Sequence, residues 1–359
     1  MSAALYKSIY LEAGGKLAIR DICETYTPEG SQCLVRVLYS GVNPCDQNFA
    51  HVGLHSCVTG FEFSGIVEQP GPLSRFKVGD NVCGLTQICL PKPSSTGTHQ
   101  DLCIADADVL YAMPRGLEPK DAGGVVMASH TAADGLFNGL GFGLQAAGVS
   151  GPDPKDRAIL IWGGASSVGV VAIQMAKAAG FSPIFVTASP QNHATLESLG
   201  ADQCFDYKSP TVVEDIRAAA KAQAVTLTVA FDTVCKDSMA QGEAVLHSTP
   251  GLARSALSSD TSPSEIKLVG TLPVPAIPEF QSCAAYRPPG DHGSLGNPQD
   301  PETPVRLRQA VEYFLDSAWT RVKLPVVKVV KGASAGVDEI ERVARGDASL
   351  EKVVIEHPL

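Results

Sequence analysis

The chain has 359 residues, of which 44% are hydrophobic and 18% charged, and its formal net charge is −10. This length is sufficient for about two domains, each with its own hydrophobic core. The acidic balance argues against nucleic acid as a partner, and no apolar run approaches the roughly 20 residues of a membrane span. We therefore expect a globular protein that binds neither nucleic acid nor a membrane.

The opening residues, MSAALYKSIYLEAGG, lack the basic start and long apolar centre of a secretory signal, which predicts a cytoplasmic protein. The 10 cysteines are scattered without a C-x-x-C pair, as expected for free thiols in a reducing compartment. Cys83, Cys89 and Cys103 lack the spacing of a zinc loop, so we expect no metal at these cysteines.

Residues 1–127 have the pattern of short strands separated by glycine and proline. Segments such as LVRVLY (34–39), FSGIVE (63–68) and NVCGL (81–85) have strand composition. Their irregular spacing favours a small, strongly curved β-barrel. We predict a first domain over residues 1–127.

From residue 128 the pattern changes to alternating strands and helices. The stretch 157–180, RAILIWGGASSVGVVAIQMAKAAG, reads as a buried strand, a glycine turn and an apolar helix. Further strands are predicted at 182–187, 203–205, 226–231 and 266–272, which indicates an α/β domain with a doubly wound parallel sheet over 128–273. Residues 274–359 begin with a proline-rich stretch, continue with a helix over 305–318, and are assigned to a return to the first domain.

The glycine turn predicts a phosphate site, because backbone amides at the start of a helix attract anions. The predicted turn consists of Gly163, Gly164, Ala165, Ser166, Ser167, Val168 and Gly169. It meets the dinucleotide pattern G-x-G-x-x-G only in part, because Ser166 replaces the middle glycine. We expect the Ser166 hydroxyl to contact a pyrophosphate, while a glycine-rich turn of another α/β protein stays an alternative at this point.

Ordered motifs extend this pattern along nearly the whole chain: VRVLYSGVNPCDQN, GFEFSGIVE, FKVGDNVCGL, HTAADGL, WGGASSVG and EKVVIE. Together they resemble the medium-chain dehydrogenase/reductase superfamily, which implies a GroES-like β-barrel catalytic domain and a Rossmann cofactor domain. The stretch VTASPQNHATLESLGADQCFDYKSP is similar to fungal trans-acting polyketide enoyl reductases, of the lovastatin enoyl reductase type, and to toxD-like oxidoreductases.

The resemblance also identifies the positions at which zinc-dependent members hold their metal. At these positions this chain has Asn43, Phe61 and Met127, none of which is a usual zinc ligand. The resemblance therefore implies the zinc-free branch and no metal site. The histidines at 51, 55, 99 and 130 are interpreted as ordinary surface or core residues.

The end of the second strand bears on the choice of cofactor. Domains that prefer NAD place an acid there, whereas residues 188–193 contain none, which favours NADPH. We expect Ser189, Asn192 and His193 around the adenosine phosphate, and the resemblance implies that Tyr207 also lies there. The resemblance adds the tail residues Ser349 and Lys352, and the turn with Cys45 and Asp46, as cofactor residues; Asp46 as a simple turn cap stays open.

Predicted catalytic residues are Thr131, Asn43 and Asn48. Thr131 matches a threonine near the nicotinamide in relatives, with a role as a helix cap as the alternative. Asn48 stands where many polyketide enoyl reductases have a lysine, and it cannot supply a positive charge. Substrate contacts are expected from Ala132, Thr271 and Leu272.

The sequence thus predicts an NADPH-dependent, zinc-free reductase. Its substrate would be an activated C=C of a secondary-metabolite intermediate, either a small molecule or an acyl chain on a carrier, with a polyketide synthase as candidate partner. Two alternatives stay open. One is a redox-neutral cyclase or isomerase, suggested by the missing lysine, and the other is a non-catalytic partner of a multidomain synthase.

Overall fold

The computed structural model describes residues 6–259, 262–294, 296–316 and 322–359. The chain divides into two compact units. Unit 1 comprises Met1–Met127, Gly290–Asp300 and Val326–Leu359, and unit 2 comprises Ala128–Pro289 and Pro301–Pro325. The final return to unit 1 thus begins at Val326 rather than at residue 274. The last residues of the helix predicted over 305–318 lie outside the described residues.

Unit 1 is built mainly from short strands. Those before the unit boundary are β1 (Tyr6–Leu11), β2 (Leu17–Ile22), β3 (Cys33–Gly41), β4 (Cys57–Val58), β5 (Glu62–Pro70), β6 (Asn81–Leu85), β7 (Leu102–Ala105) and β8 (Leu110–Ala112). The one-turn helix α1 (Cys45–Asn48) follows β3, and α2 (Pro119–Ala133) contains the boundary between the units. Alternate residues of β3 are buried against β5 and β6, as expected of a sheet with one face in the core.

In unit 2 the strands are β9 (Ile159–Trp162), β10 (Ile184–Thr187), β11 (Gln203–Phe205), β12 (Val229–Asp232), β13 (Lys267–Gly270) and β14 (Phe280–Ser282). The helices that follow α2 are α3 (Ser167–Ala179), α4 (His193–Ser198), α5 (Val212–Ala222), α6 (Thr249–Ala256) and α7 (Glu302–Asp316). A π-helical turn, Asp134–Gly139, continues α2.

The strands of unit 2 form a parallel sheet of six in the described residues, in the order β11-β10-β9-β12-β13-β14. This order reverses direction between β9 and β12, as in doubly wound dinucleotide-binding sheets. The prediction of a doubly wound parallel sheet is confirmed. The edge strand β14 lies inside the stretch predicted as a proline-rich loop, because three residues are too few to show a period.

The tail adds β15 (Val327–Lys331), α8 (Ala333–Ala344) and β16 (Lys352–Glu356) to unit 1. Strand β16 pairs antiparallel with β3, and Val354 lies opposite Gly41. This pairing brings the end of the chain beside the turn that follows β3. Among the helices of the described residues, none is long and apolar enough to cross a bilayer.

Candidate active site

The turn between β9 and α3 has the geometry of an anion site. Two of its glycines are required by close packing: a Cβ on Gly164 would overlap Val186, and one on Gly169 would overlap the Gly163 carbonyl. At the start of α3, the Gly169 amide donates to the Ser166 hydroxyl. The next amide, that of Val170, donates to the Ser166 carbonyl. The amides of Ser167 and Val168 are therefore left for an anion, since neither has an i−4 partner within the helix.

Ser166 has a structural role that the sequence did not indicate. Its side chain caps α3 by accepting from Gly169 N at 2.9 Å, and it lies 2.9 Å from the hydroxyl of Thr233. The Thr233 hydroxyl is also 2.9 Å from the carbonyls of Trp162 and Gly163. Thr233 thus joins the ends of β9 and β12 at the point where the strand order reverses. The structure favours a capping role for Ser166 over the predicted pyrophosphate contact.

The predicted adenosine-phosphate residues follow the neighbouring strands β10 and β11. Thr187 and Phe205 are paired in register, and Ser189 and Tyr207 each lie two residues further on, at the carboxyl edge of the sheet. Ser189 is half-buried, whereas Tyr207 is exposed, with the Lys208 ammonium 5.6 Å from the centre of its ring. The loop after β10 contains no carboxylate before Glu197, which leaves room for a phosphate there.

The other predicted residues of unit 2 are placed as follows. Asn192 is buried, and His193 is half-buried with its Nε2 3.0 Å from the Ala188 carbonyl. On α2, Thr131 and Ala132 are buried, at 9% and 0% exposure. Thr271 and Leu272 follow the carboxyl end of β13, and Leu272 is exposed. Their predicted roles toward cofactor and substrate stay predictions.

In unit 1, a buried ion pair lies beside the turn after β3. The Lys352 ammonium is 2.5 Å from Glu62 Oε1 and donates to Asn43 Oδ1 at 2.7 Å, with both charged side chains at most 2% exposed. The Asn43 amide donates to Glu62 Oε1 at 2.8 Å, and the Met127 backbone amide donates to Glu62 Oε2 at 2.9 Å. The polar atoms of Asn43 and Lys352 therefore take part in internal contacts, and direct roles in catalysis and cofactor binding stay predictions.

Asp46 lies on α1 in the same turn and is fully buried. Its Oδ2 accepts from the Asn43 backbone amide at 2.8 Å, which is the expected turn cap, and it lies 3.1 Å from His99 Nε2. Its Oδ1 is buried and has no hydrogen-bond partner. The structure thus shows Asp46 as a turn cap, and its role toward the cofactor stays a prediction.

The remaining predicted residues of unit 1 are more accessible. Cys45 is half-buried on α1. Asn48 is exposed, and its amide donates to the Ala344 carbonyl at 3.1 Å, which ties α1 to the end of α8. Ser349 is exposed in the loop before β16. The structure thus gives Asn48 a structural contact, and its catalytic role stays a prediction.

Two of the three residues that the resemblance places at zinc-ligand positions contact the Glu62–Lys352 pair. Asn43 and Met127 contact Glu62 directly, and Phe61 precedes it in the chain. In the described part of the chain, no group of three or more His, Cys, Asp or Glu side chains is arranged to hold a metal ion. Asn43 Oδ1 accepts a hydrogen bond from the Lys352 ammonium at 2.7 Å.

The residues of unit 2 fit a dinucleotide. The two available amides of α3 suit a pyrophosphate, and the loop after β10 carries polar groups and no carboxylate near a 2′-phosphate.

Sequence reasoning missed Glu62, His99 and Thr233. Glu62 was detectable as a single charge in the apolar run GFEFSGIV, and Thr233 as a polar residue just beyond a buried strand, whereas nothing in the local sequence distinguished His99.

Comparison with known protein families finds a matching family profile for each unit. The profile of the alcohol dehydrogenase GroES-like domain matches residues 29–115, and the profile described as zinc-binding dehydrogenase matches residues 167–266. The chain belongs to the medium-chain dehydrogenase/reductase superfamily. The predicted combination of a GroES-like domain and a Rossmann-type sheet is confirmed, as is the resemblance to fungal polyketide enoyl reductases.

Individual relatives agree with this assignment. A trans-enoyl reductase of Aspergillus flavipes is 34% identical over 220 residues, which cover 58% of this chain and 58% of the relative. A trans-enoyl reductase of Pyricularia oryzae is 28% identical over 337 residues, covering 91% and 90%. For several such relatives, the match spans little more than half of the relative's length. An alcohol dehydrogenase superfamily protein from Novosphingobium aromaticivorans has the same fold, with a TM-score of 0.70 at 23% identity over 99% and 100% of the two chains.

Proposed function

We propose that this protein is an NADPH-dependent, zinc-independent oxidoreductase that reduces an activated C=C of a secondary-metabolite intermediate. The observation that carries the proposal is the turn before α3, which offers the Ser167 and Val168 amides to a pyrophosphate. Relatives named trans-enoyl reductases and a solved structure named CurK enoyl reductase support enoyl reduction. A mycobacterial structural neighbour, solved with NADPH, supports a nicotinamide cofactor.

When bound, a reduced nicotinamide would supply the hydride. The described residues would bind the cofactor and provide the polar groups around its phosphates. The helix amides and the glycines of the turn would hold the pyrophosphate, while Ser189 and Tyr207 would lie near the adenosine phosphate. The absence of an acid in the loop after β10 favours a 2′-phosphate, because a carboxylate there would repel it. The substrate is proposed to be an enoyl group on a small molecule or on the acyl carrier of a polyketide synthase.

The first test is cofactor affinity. Binding of NADPH and NADH is measured side by side by calorimetry for the wild type, Ser189→Asp and the control Ser198→Asp, which places the same charge at an exposed position on α4. We expect wild type to prefer NADPH and Ser189→Asp to lose about tenfold or more in NADPH affinity with little change for NADH. A wild-type preference for NADH would contradict the proposed cofactor.

The second test is turnover with a panel of enoyl thioesters and enones, followed through NADPH absorbance and product mass. Reduction predicts one NADPH consumed for each product formed. Product without net NADPH oxidation would favour a redox-neutral cyclase or isomerase, for which the Asn48 position is the motivating feature. Capture of a synthase through surface residues without any turnover would favour a non-catalytic partner.

A further inference from the structure

An exposed lysine of unit 2 lies beside the residues predicted around the adenosine phosphate. Strand β11 ends at Phe205, and Tyr207 and Lys208 follow in the turn that leads towards α5. Both side chains are exposed, and the Lys208 ammonium lies 5.6 Å from the centre of the Tyr207 ring. A cation at this distance is attracted by the face of an aromatic ring. The ring thus favours one position for the ammonium, while the charge stays accessible to solvent.

Hydrogen bonds to Asp206 fix the backbone around Lys208. The Lys208 amide donates to the Asp206 carboxylate at 3.0 Å, and the Ser209 amide donates to the Asp206 carbonyl at 3.0 Å. Contacts of this kind are typical of aspartate in a tight turn. Among the described residues, no carboxylate lies within ion-pair distance of the Lys208 ammonium. The Asp206 carboxylate therefore holds the turn, and the ammonium is available to a ligand.

The pairing of β9, β10 and β11 relates this turn to the phosphate turn before α3. The Gly164 amide donates to the Thr187 carbonyl at the end of β10. The Ala188 amide donates to the Phe205 carbonyl, which continues the pairing of β10 with β11 by one residue. The three strands are neighbours in the sheet, so β11 lies two strand spacings, about 10 Å, from β9. Lys208 thus follows the strand two places from the phosphate turn, at the same edge of the sheet.

A dinucleotide on the phosphate turn would extend its adenosine half across these strand ends. Its pyrophosphate would meet the helix amides, and its adenosine ribose would lie near the end of β10, where NAD-binding domains place the acid that holds the ribose. In NADPH this ribose carries a phosphate monoester, whose charge is about −1.5 to −2 at pH 7. Such a group binds most strongly to a cationic donor.

Lys208 is the residue of this region that can supply that cation. From residue 181 to residue 216 it is the only lysine or arginine in the sequence. Lys177, on α3, is paired with Asp202 at 3.2 Å. Asp202 also accepts from the Ile184 amide at the start of β10, which places this pair at the opposite edge of the sheet. Lys177 is therefore not positioned to bind the ribose phosphate.

The polar residues that follow β10 can add hydrogen bonds at the phosphate. Ser189 offers a hydroxyl, which donates one hydrogen and carries no charge. His193 has its Nε2 3.0 Å from the Ala188 carbonyl, so this nitrogen is already engaged by the backbone. The loop after β10 thus leaves room for a phosphate, whereas the charge that attracts the phosphate comes from the turn after β11.

We propose that Lys208 determines the choice of NADPH over NADH by pairing with the 2′-phosphate of the cofactor. This inference rests on the proposed function, because it requires a dinucleotide on the turn before α3. The loop after β10 has no carboxylate that would repel the phosphate, and Lys208 adds the attraction that selects for it. The contact with Tyr207 restricts the lysine side chain before binding, which lowers the entropy lost when the ion pair forms.

The test measures binding of NADPH and of NADH by calorimetry to wild type, Lys208→Gln and Lys208→Arg. We expect Lys208→Gln to bind NADPH about tenfold more weakly than wild type, because a charge-assisted hydrogen bond is lost, and to bind NADH as wild type does. Lys208→Arg keeps the charge and should retain most of the NADPH affinity. Added salt should weaken NADPH binding more in wild type than in Lys208→Gln, because salt screens an exposed ion pair.

The matched control is Lys155→Gln. Lys155 is also exposed, and its amide also donates to an aspartate two residues earlier, Asp153, at 2.9 Å. It precedes β9, however, and so lies at the amino edge of the same sheet. Lys155→Gln should bind NADPH and NADH as wild type does. In turnover assays, Lys208→Gln should raise the KM for NADPH about tenfold and leave kcat at saturating NADPH near wild type, a combination that a folding defect does not produce.

The outcomes separate this inference from the proposed function. If Lys208→Gln keeps the wild-type preference for NADPH, the inference is wrong and the proposed function stands. Equal losses of NADPH and NADH affinity would also overturn a role in choosing between them. If NADPH affinity falls as expected but no substrate is reduced, the inference holds and the proposed function fails. A wild type without preference for NADPH would overturn both the inference and the proposed cofactor.

Discussion

Lys92 is a buried lysine for which no carboxylate partner is found among the described residues. Its side chain is 4% exposed, and its ammonium lies 3.0–3.3 Å from the Thr86 and Thr96 hydroxyls and the Gln87 and Thr96 carbonyls. The ring of Phe61 lies 4.6 Å from it. Burial lowers the pKa of Lys92 from 10.5 to about 8. Neutral acceptors and an aromatic face thus replace only part of the lost hydration.

This shift links stability to pH. The pKa is lower in the folded than in the unfolded chain, so the native state binds this proton less readily. The stabilisation from neutral Lys92 is complete above pH 10.5 and is lost as the pH falls to about 8. A shift of this size corresponds to about 3 kcal/mol of unfolding free energy. Below pH 8 the cost of burying the charge is constant.

The test compares wild type with Lys92→Met in urea unfolding at pH 7, 8, 9 and 10. Burial raises the pKa values of thiols such as Cys83 and Cys103 to about 12, which destabilises both proteins as the pH rises above 9. The informative quantity is therefore the difference between the two proteins. We expect wild type to gain about 2–3 kcal/mol relative to Lys92→Met between pH 7 and pH 10.

The matched control is Lys77→Met, because Lys77 is exposed. The difference between wild type and Lys77→Met should stay nearly constant over the same range. If the difference between wild type and Lys92→Met is also independent of pH, the ammonium is not desolvated as the structure indicates, and the reasoning is refuted.

Three further substitutions address the site. Lys352→Met should destabilise unit 1 by about 3–5 kcal/mol, because it leaves Glu62 charged and buried. Adding Glu62→Gln should restore part of the lost unfolding free energy in a double-mutant cycle, and additive effects of the two substitutions would contradict a direct ion pair. Gly164→Ala should weaken dinucleotide binding in calorimetry, because its Cβ would overlap Val186 and displace the turn, and unchanged affinity would count against this turn as the site. Ser166→Ala should lower the unfolding free energy by about 1 kcal/mol through loss of the helix cap, and a tenfold or greater loss of NADPH affinity at unchanged stability would instead restore the pyrophosphate role.

The sequence predicts the sheet of unit 2 well because its strands are short apolar runs that alternate with helices. The turn at Gly164 was recognisable because tight strand–helix connections need glycine there. Strand β14 was not predicted, since three residues carry no period. The role of Ser166 depends on Thr233, which lies 67 residues further along the chain, and local pattern does not report such a contact.

The sequence also does not reveal the polar contacts of unit 1, because they join residues that are far apart in the chain. Lys352 and Asn43 are 309 residues apart, and only the pairing of β16 with β3 brings them together. His99 was interpreted as an ordinary histidine, because its partners come from β3 and from the turn that follows that strand. Motifs were sufficient to nominate Asn43, Asp46 and Lys352, whose functional roles stay predictions, but the hydrogen-bond partners of these residues depend on long-range strand pairing.

The central claim is that a bound nicotinamide transfers hydride to the substrate. It is tested most directly with NADPH carrying deuterium at the transferred C4 position and an enoyl thioester that is turned over, with the product examined by mass spectrometry. We expect one deuterium on the β-carbon for each NADPH consumed. A product that contains no deuterium, or one that forms without NADPH consumption, would contradict it.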